Sequence, residues 1–102
     1  MGLIKHDQDK DEWHLLPLVA VRAVIRVLMH GAAKYCEWNW AEGGDYSRLY
    51  NACLRHLTAW WDGEDLDGES GLNHLAHAAC CILFMLELQL RGIPEDNRHS
   101  WK

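Results

Sequence analysis

Residues 70–92 read SGLNHLAHAACCILFMLELQLRG, and this stretch decides the fold of the chain. Ser70 is a suitable N-cap, and Arg91 followed by Gly92 is a common helix end, so the stretch predicts a helix over residues 70–90. The middle of the run is apolar nearly all round, which is typical of a helix buried on more than one side. The other elements must therefore pack around it.

Two further segments have helical patterns. Apolar residues recur every three or four positions across residues 16–34, where Gly31 either ends the helix or bends it. Asp45 or Ser47 can cap a second helix over residues 47–61. No window alternates between apolar and polar residues as a strand does. The sequence thus predicts an all-α, hairpin-type unit of three helices.

The 102 residues are enough for one domain with a modest core. We divide them into an extended N-terminal arm (1–14), a helical catalytic or nucleotide-binding domain (15–92) and a polar C-terminal tail (93–102). Two helices can hardly surround an apolar third helix. A homo-oligomer, a dimer or larger, is the simplest way to complete a bundle around it.

The composition excludes several classes of protein. The formal net charge is −5, so no direct binding of nucleic acid is expected. No segment approaches about 20 continuous apolar residues, so no membrane span is expected. Four cysteines without a CxxC pair suit buried thiols in a reducing cytoplasm. Six tryptophans in so short a chain indicate either a protein interface or a pocket for a flat ligand.

Three histidines flank a loop rich in carboxylates. His74 and His77 lie three residues apart on the third predicted helix, and His56 lies on the second, just before the loop. If these helices pack antiparallel, the histidines meet at the connected ends. Histidine with carboxylate suits Mn, Fe, Co, Ni or Zn, and an all-oxygen set suits Mg. The structural alternative is a hydrogen-bonded cluster beside a solvated loop. The carboxylates available are Glu64, Asp65, Asp67 and Glu69.

A second group of residues follows the first predicted helix, where residues 34–40 read KYCEWNW. Aromatic rings stack on nucleobases, an amide can pair with a base edge, and a lysine can meet a phosphate. The structural alternative is an aromatic cluster that ties the loop to the core. Arg55, beside His56, is a further phosphate contact or a solvated side chain.

The order of these residues resembles the phage-type dATP/dGTP diphosphohydrolase family, first known as a domain of unknown function. The resemblance runs from about Asp7 to Leu88, and its most specific part is the block from Gly63 to His77. The matching residues are Asp7, Lys10, Trp13, Leu16, Pro17, Gly31, Ala32, Ala33, Lys34, Tyr35, Asn39, Trp40, Arg55, His56, Leu57, Ala59, Trp60, Gly63, Glu64, Asp67, Glu69, Ser70, Gly71, His74, Leu75, His77 and Ala78.

The resemblance implies conversion of a deoxypurine nucleoside triphosphate to the monophosphate and pyrophosphate. It also implies a loose relation to the MazG-like all-α nucleotide pyrophosphohydrolases, which use a divalent metal. Those enzymes carry an ExxE pair on one helix and an ExxD pair on the next, and neither pattern occurs on the second or third predicted helix. The metal ligands are then histidine and carboxylate, or the site lies elsewhere, or this member is not catalytic.

We therefore expect an enzyme that hydrolyses a (deoxy)purine nucleoside triphosphate with a divalent cation (Mg, Mn, Co, Ni, Fe or Zn), in the cytoplasm of a phage-infected or prophage-bearing bacterium. The alternatives are a non-catalytic helical phage adaptor and a nucleotide-binding protein that does not cleave. The hypothesis assigns His56, Glu64, Asp67, His74 and His77 to the metal, Glu64, Asp67 and Glu69 to catalysis, and Lys10, Lys34, Tyr35, Trp38, Asn39, Trp40 and Arg55 to the substrate.

Overall fold

A computed structural model describes residues 2, 8–42, 45–93 and 96–101 of the chain. Parts of the predicted arm and tail, residues 1, 3–7, 94, 95 and 102, lie outside the described residues. The helices are α1 (Leu18–Lys34), α2 (Tyr46–Trp61) and α3 (His74–Arg91). Short 3-10 turns at Trp13–Leu15 and Asn39–Glu42 precede α1 and α2. Across the described ranges the chain forms helices and no strand, which confirms the all-α prediction.

The first helix begins at Leu18, two residues later than predicted. Leu16 and Pro17 have extended ψ angles of 133° and 93°. The proline ring disfavours a helical conformation at the residue before it, so the helix cannot include Leu16. At the other end, the Tyr35 N–H donates to the carbonyl of Gly31, so this glycine lies within the helix rather than ending it.

The third helix begins at His74, four residues later than predicted, and Ser70 is not its N-cap. Asn73 holds that position, and its side-chain oxygen accepts a hydrogen bond of 2.8 Å from the N–H of Leu75. Both Ser and Asn are good N-caps, so residue preference alone cannot choose between them. Gly92 ends α3 with a φ of 64°, a left-handed conformation that glycine adopts without strain.

The central helix is α3, which packs against α1 on one side and α2 on the other. The buried side chains at both contacts are small, and small side chains let helix axes approach closely. They are Val27, Ala76 and Cys80 on the α1 side, and Cys53, Ala78 and Cys81 on the α2 side. Cys36 is exposed, so the prediction of a buried thiol is wrong for this cysteine.

Part of the apolar surface remains exposed. On α3, Ile82, Leu83, Leu86 and Leu90 are between 46% and 77% exposed. Such a surface is consistent with the predicted homo-oligomer, which stays a prediction. None of the helices in the described ranges has the length and hydrophobicity needed to cross a bilayer.

The C-terminal tail contacts the first turn of α2. The Asn97 side-chain oxygen accepts a hydrogen bond of 3.2 Å from the Ser47 N–H, and its amide donates to the Ser47 hydroxyl at 2.8 Å. Asp45 occupies the N-cap position as expected but makes no capping hydrogen bond with its side chain. Asn97 therefore satisfies a helix-end donor from a distant part of the sequence.

Candidate functional site

The three histidines come together where α2 leads into α3. The Nδ1 atoms of His56 and His74 lie 2.9 Å apart. The rings of His56 and His77 stack with centroids 4.4 Å apart and planes inclined by 7°. His74 is 4% exposed, and the other two are half-buried. The hairpin of α2 and α3 thus places three imidazoles in one partly enclosed cluster.

The acidic loop, residues 62–73, is organised by its own backbone. The Asp67 N–H donates to the carbonyl of Leu72 at 2.8 Å, and the His74 N–H donates to that of Asp65 at 2.9 Å. The Ser70 N–H also donates to the carboxylate of Asp67 at 2.8 Å. This backbone hydrogen bond is the main reason that the pKa of Asp67 is lowered. The carboxylate is therefore fixed in place and ionised at neutral pH.

Each histidine of α3 has a polar partner from this loop. The Nε2 atom of His74 lies 3.1 Å from Oε1 of Glu64. The Nε2 atom of His77 lies 2.7 Å from the Ser70 hydroxyl and 3.9 Å from Oδ2 of Asp67. The loop thus fixes the orientation of both rings.

Metal-ligand-type atoms of three of these residues lie close together. One potential ligand atom from each of His56, Asp67 and His74 lies within 4.8 Å of the other two. Burial lowers the pKa of His56 and of His77. Both rings are therefore neutral at neutral pH, and neutral imidazole is the form that binds metal.

Glu69, the other predicted catalytic carboxylate, forms an ion pair with Lys34 at the end of α1. The pair is exposed, since the side chain of Lys34 is 41% exposed and that of Glu69 is 66% exposed. The hydrogen bond between them raises the pKa of Lys34 and lowers the pKa of Glu69. This contact joins a predicted phosphate-binding residue to the acidic loop.

In the aromatic loop, residues 35–42, the side chains predicted to contact the base are of two kinds, packed and exposed. Trp40 is half-buried and stacks on Phe84 of α3, with centroids 4.5 Å apart and planes inclined by 11°. Trp38 is 69% exposed and has a φ of 61°, an uncommon value for a bulky residue. Tyr35 and Asn39 are also exposed. Trp40 thus anchors the loop, whereas the other three side chains are accessible.

The two remaining predicted substrate contacts lie at different places. Arg55 lines an open groove along α2 that reaches Glu64 of the acidic loop. Lys10 is exposed in a turn that precedes α1. The structure thus places Arg55 at the edge of the histidine cluster and Lys10 on a separate segment.

Sequence reasoning missed two residues of this region. Ser70 is hydrogen-bonded to both Asp67 and His77, whereas its sequence position indicates only a capping role. His30 of α1 contributes to the lowered pKa of His77 and of Glu69. Its position four residues before Lys34 places the two on one helix face, and that spacing is the signal that could have found it.

Known proteins resemble the chain over nearly its whole length. Residues 3–98 match the family described as "dATP/dGTP diphosphohydrolase, N-terminal". A dATP/dGTP diphosphohydrolase of Salmonella phage PMBT28 is 37% identical over 98 residues, which cover 96% of this chain and 33% of the phage protein. The chain therefore spans about a third of the length of that relative. No solved structure matches the chain. Because the family match includes all three helices, the chain belongs to the dATP/dGTP diphosphohydrolase N-terminal family.

Proposed function

We propose that this chain carries out, or contributes a site for, the metal-dependent hydrolysis of a (deoxy)purine nucleoside triphosphate to the monophosphate and pyrophosphate. Membership of the family and the name of the phage relative support the substrate class. The observation that carries the proposal is the close grouping of His56, Asp67 and His74. We place the activity in the bacterial cytoplasm, where nucleoside triphosphates are abundant.

The residues around the cluster have different proposed roles in the reaction. A divalent cation bound there would supply Lewis acidity toward a phosphate oxygen and lower the pKa of a bound water. Asp67 is ionised and held by the Ser70 N–H, so it can accept a proton or a metal without rearrangement. Glu69 lies on the same loop, and Lys34 beside it offers a positive charge to the triphosphate.

The aromatic loop supplies the surface for the base. The ring of Trp38 is accessible, and base–aromatic stacking contributes about 1–3 kcal/mol per base. Asn39 and Tyr35 are exposed beside it and can hydrogen-bond the edge of the base. Lys34, directly before this loop, links it to the acidic loop through Glu69. A nucleotide bound between the two loops would thus place its base at one and its phosphates at the other.

Hydrolysis is tested with purified full chain. We would incubate it with dGTP, dATP, dCTP and dTTP, each with Mg²⁺, Mn²⁺, Co²⁺, Ni²⁺, Fe²⁺ or Zn²⁺ and with EDTA, and separate the products by ion-exchange chromatography. Pyrophosphate and the deoxypurine monophosphate are expected with at least one metal and not with EDTA. No turnover of any purine triphosphate under any of these metals would overturn the proposal.

A nucleotide-binding protein without catalysis is the second candidate, since the chain corresponds to about a third of the phage relative. Calorimetry with dGTP distinguishes the two: binding without turnover favours the second candidate. A helical adaptor is a further alternative, in keeping with Trp61 and Trp101, which are 80% and 92% exposed. It requires neither dGTP binding nor hydrolysis.

The exposed apolar face of α3 supports the proposal of a homo-oligomer. A second copy packed on Ile82, Leu86 and Leu90 would remove these side chains from water. Light scattering coupled to gel filtration would give a mass of at least twice 11.8 kDa. A monomer at high micromolar concentration would contradict this expectation.

A further inference from the structure

We propose that the histidine cluster is a three-ligand site for a transition-metal dication, formed by His56, His74 and Asp67, in which Glu64 orients His74 instead of binding the metal. The site deepens the proposed function and rests on it for its catalytic use. Metal binding itself can be measured without any turnover. The assignment reduces the five predicted ligands to three.

The contact between His74 and Glu64 decides which nitrogen of His74 can bind a metal. A carboxylate accepts hydrogen bonds, so the Nε2 atom at 3.1 Å from Glu64 carries the proton. The neutral ring then has its lone pair on Nδ1. Metal-binding histidines commonly donate their other N–H to a carboxylate in this way, which fixes the ring and raises its basicity.

The lone pair on Nδ1 of His74 faces a second imidazole nitrogen. The Nδ1 atom of His56 lies 2.9 Å from it and, when no metal is bound, donates a hydrogen bond to it. To bind a metal through Nδ1, the His56 ring must carry its proton on Nε2 instead. Two nitrogens bound at about 2.0–2.1 Å to a tetrahedral ion lie roughly 3.3 Å from each other. A small outward movement of the two rings would reach that spacing. The pair is therefore nearly in position to bind one ion from two sides.

Asp67 supplies the third ligand. Its Oδ2 atom accepts the hydrogen bond from the Ser70 N–H, which holds the carboxylate in place beside the two imidazoles. His77 has a different role, because its Nε2 atom is 2.7 Å from the Ser70 hydroxyl and its ring stacks on His56. We assign His77 to hold the His56 ring in place.

The donor types determine the class of metal. Two imidazole nitrogens and one carboxylate oxygen suit Zn²⁺, Mn²⁺, Fe²⁺, Co²⁺ and Ni²⁺. Mg²⁺ prefers octahedral oxygen ligands and dehydrates reluctantly, so it should bind this set weakly. Three protein ligands also leave a position for water or a phosphate oxygen, as in catalytic rather than structural zinc sites.

Metal binding is tested on the full chain after treatment with EDTA. Co²⁺ is followed by its visible absorption, Zn²⁺ by competition with a chromophoric chelator, and Mg²⁺ by calorimetry. One Co²⁺ or Zn²⁺ per chain is expected, with Zn²⁺ bound at least about 100-fold more tightly than Mg²⁺. Melting curves in EDTA identify any variant that fails to fold.

Variants separate the ligands from the orienting residue. His74→Ala and Asp67→Asn should abolish Co²⁺ absorption, whereas Glu64→Ala should weaken Zn²⁺ binding about 10–100-fold. Glu64→Gln should retain most of the affinity, because its amide oxygen still accepts the hydrogen bond from His74. The matched control is His14→Ala, since His14 lies before the N-terminus of α1, whereas the other end of α1 contacts the acidic loop through Lys34.

Several results would overturn the site. These are Zn²⁺ binding no tighter than Mg²⁺ binding, equal affinity in folded His74→Ala and His14→Ala, or complete loss of binding in Glu64→Gln. The outcomes for hydrolysis are distinct. Binding as expected without turnover would leave the site standing and remove the proposed hydrolysis. If His74→Ala keeps both its turnover and its metal affinity, the proposed metal site is wrong and the proposed hydrolysis stands.

Discussion

The acidic loop and the aromatic loop were both predicted to build the site, and the structure organises them differently. In the acidic loop the backbone and polar side chains bond one another, and Asp67 and Ser70 are central to this network. The aromatic loop is anchored instead by the stacking of Trp40 on Phe84, and the centroid of the Trp38 ring lies 5.6 Å from that of Trp40. The first arrangement fixes the positions of charged groups, whereas the second leaves Trp38 accessible to a flat ligand.

On the proposed function, each loop suits a different part of a nucleotide. Phosphate chemistry requires ligands held to within a fraction of an ångström, and a hydrogen-bonded loop provides this. Stacking on a base tolerates more variation, because every base has an aromatic face. Mutations in the two loops should therefore have different consequences for turnover, stability and substrate binding.

The largest effect is expected from Asp67→Ala, which removes a proposed ligand and the acceptor of the Ser70 N–H. Loss of an outer partner of a metal ligand costs about 10–100-fold in activity, so loss of a ligand should exceed about 100-fold. The measurement is the rate of pyrophosphate release from dGTP. Asp62→Ala, at an exposed position of the same loop, is the control. Equal rates in both variants would remove Asp67 from the site.

The second prediction concerns the anchor of the aromatic loop. Trp40→Ala removes the ring that stacks on Phe84 and should lower the free energy of unfolding by about 2–3 kcal/mol. Trp38→Ala, in the same loop but exposed, should change it by less than about 0.5 kcal/mol. Urea unfolding of both variants measures the difference. Equal stability of the two variants would show that Trp40 does not anchor the loop.

The third prediction concerns α3, which supports both loops. Burial raises the pKa of the Cys80 and Cys81 thiols from the ordinary 9.0 to about 11. As the pH rises, the thiols of the unfolded chain lose their protons before those of the folded chain do. The free energy of unfolding that the two protonated thiols contribute is therefore complete below pH 9 and is lost as the pH rises toward 11. The expected loss at pH 10 is on the order of 1 kcal/mol per thiol.

Urea unfolding between pH 7 and pH 10 measures this loss. The double variant Cys80→Ala with Cys81→Ala should flatten the dependence on pH, whereas Cys36→Ala, at an exposed thiol, should not. Cys36 should also react with iodoacetamide in the folded protein while the two α3 thiols remain protected. An unchanged slope in the double variant would contradict the assignment of the alkaline loss to these thiols.

The smallest effect is expected from Trp38→Ala on substrate binding. Loss of one stacking contact should raise KM for dGTP about 10-fold and leave kcat largely unchanged. Steady-state kinetics with dGTP measures both constants. Trp38→Phe, which retains a ring, should restore most of the affinity. A KM unchanged by Trp38→Ala would indicate that the base binds elsewhere, and the groove beside Arg55 would be the next place to test.

The sequence predicts the helices well where apolar spacing is long and regular. It also brings His56 near His74 and His77, because a hairpin of two helices must join their connected ends. It misplaces the start of α3, because Ser70 and Asn73 are both capping residues and only contacts within the loop favour Asn73. Residue type and periodicity carry no information about such contacts.

Within the candidate site, the sequence identifies the types of residue but not which side chains contact one another. Glu64 and Asp67 look equivalent as carboxylates of one loop. Yet Glu64 contacts Nε2 of His74, whereas Asp67 accepts a hydrogen bond from the Ser70 N–H. Trp38 and Trp40 look equivalent as loop indoles, yet only Trp40 stacks on Phe84. These differences depend on side-chain directions in three dimensions.

The hydrogen bonds between Asn97 and Ser47 have a consequence for the order of events during synthesis. They join positions separated by 50 residues. A ribosome adds about 5–20 residues each second, so Asn97 is added to the chain roughly 2.5–10 s after Ser47. During that interval α2 relies on its packing against α3 as soon as α3 emerges. The hydrogen bonds from Asn97 therefore form after the first turn of α2 has been made, and the rate of translation sets the delay.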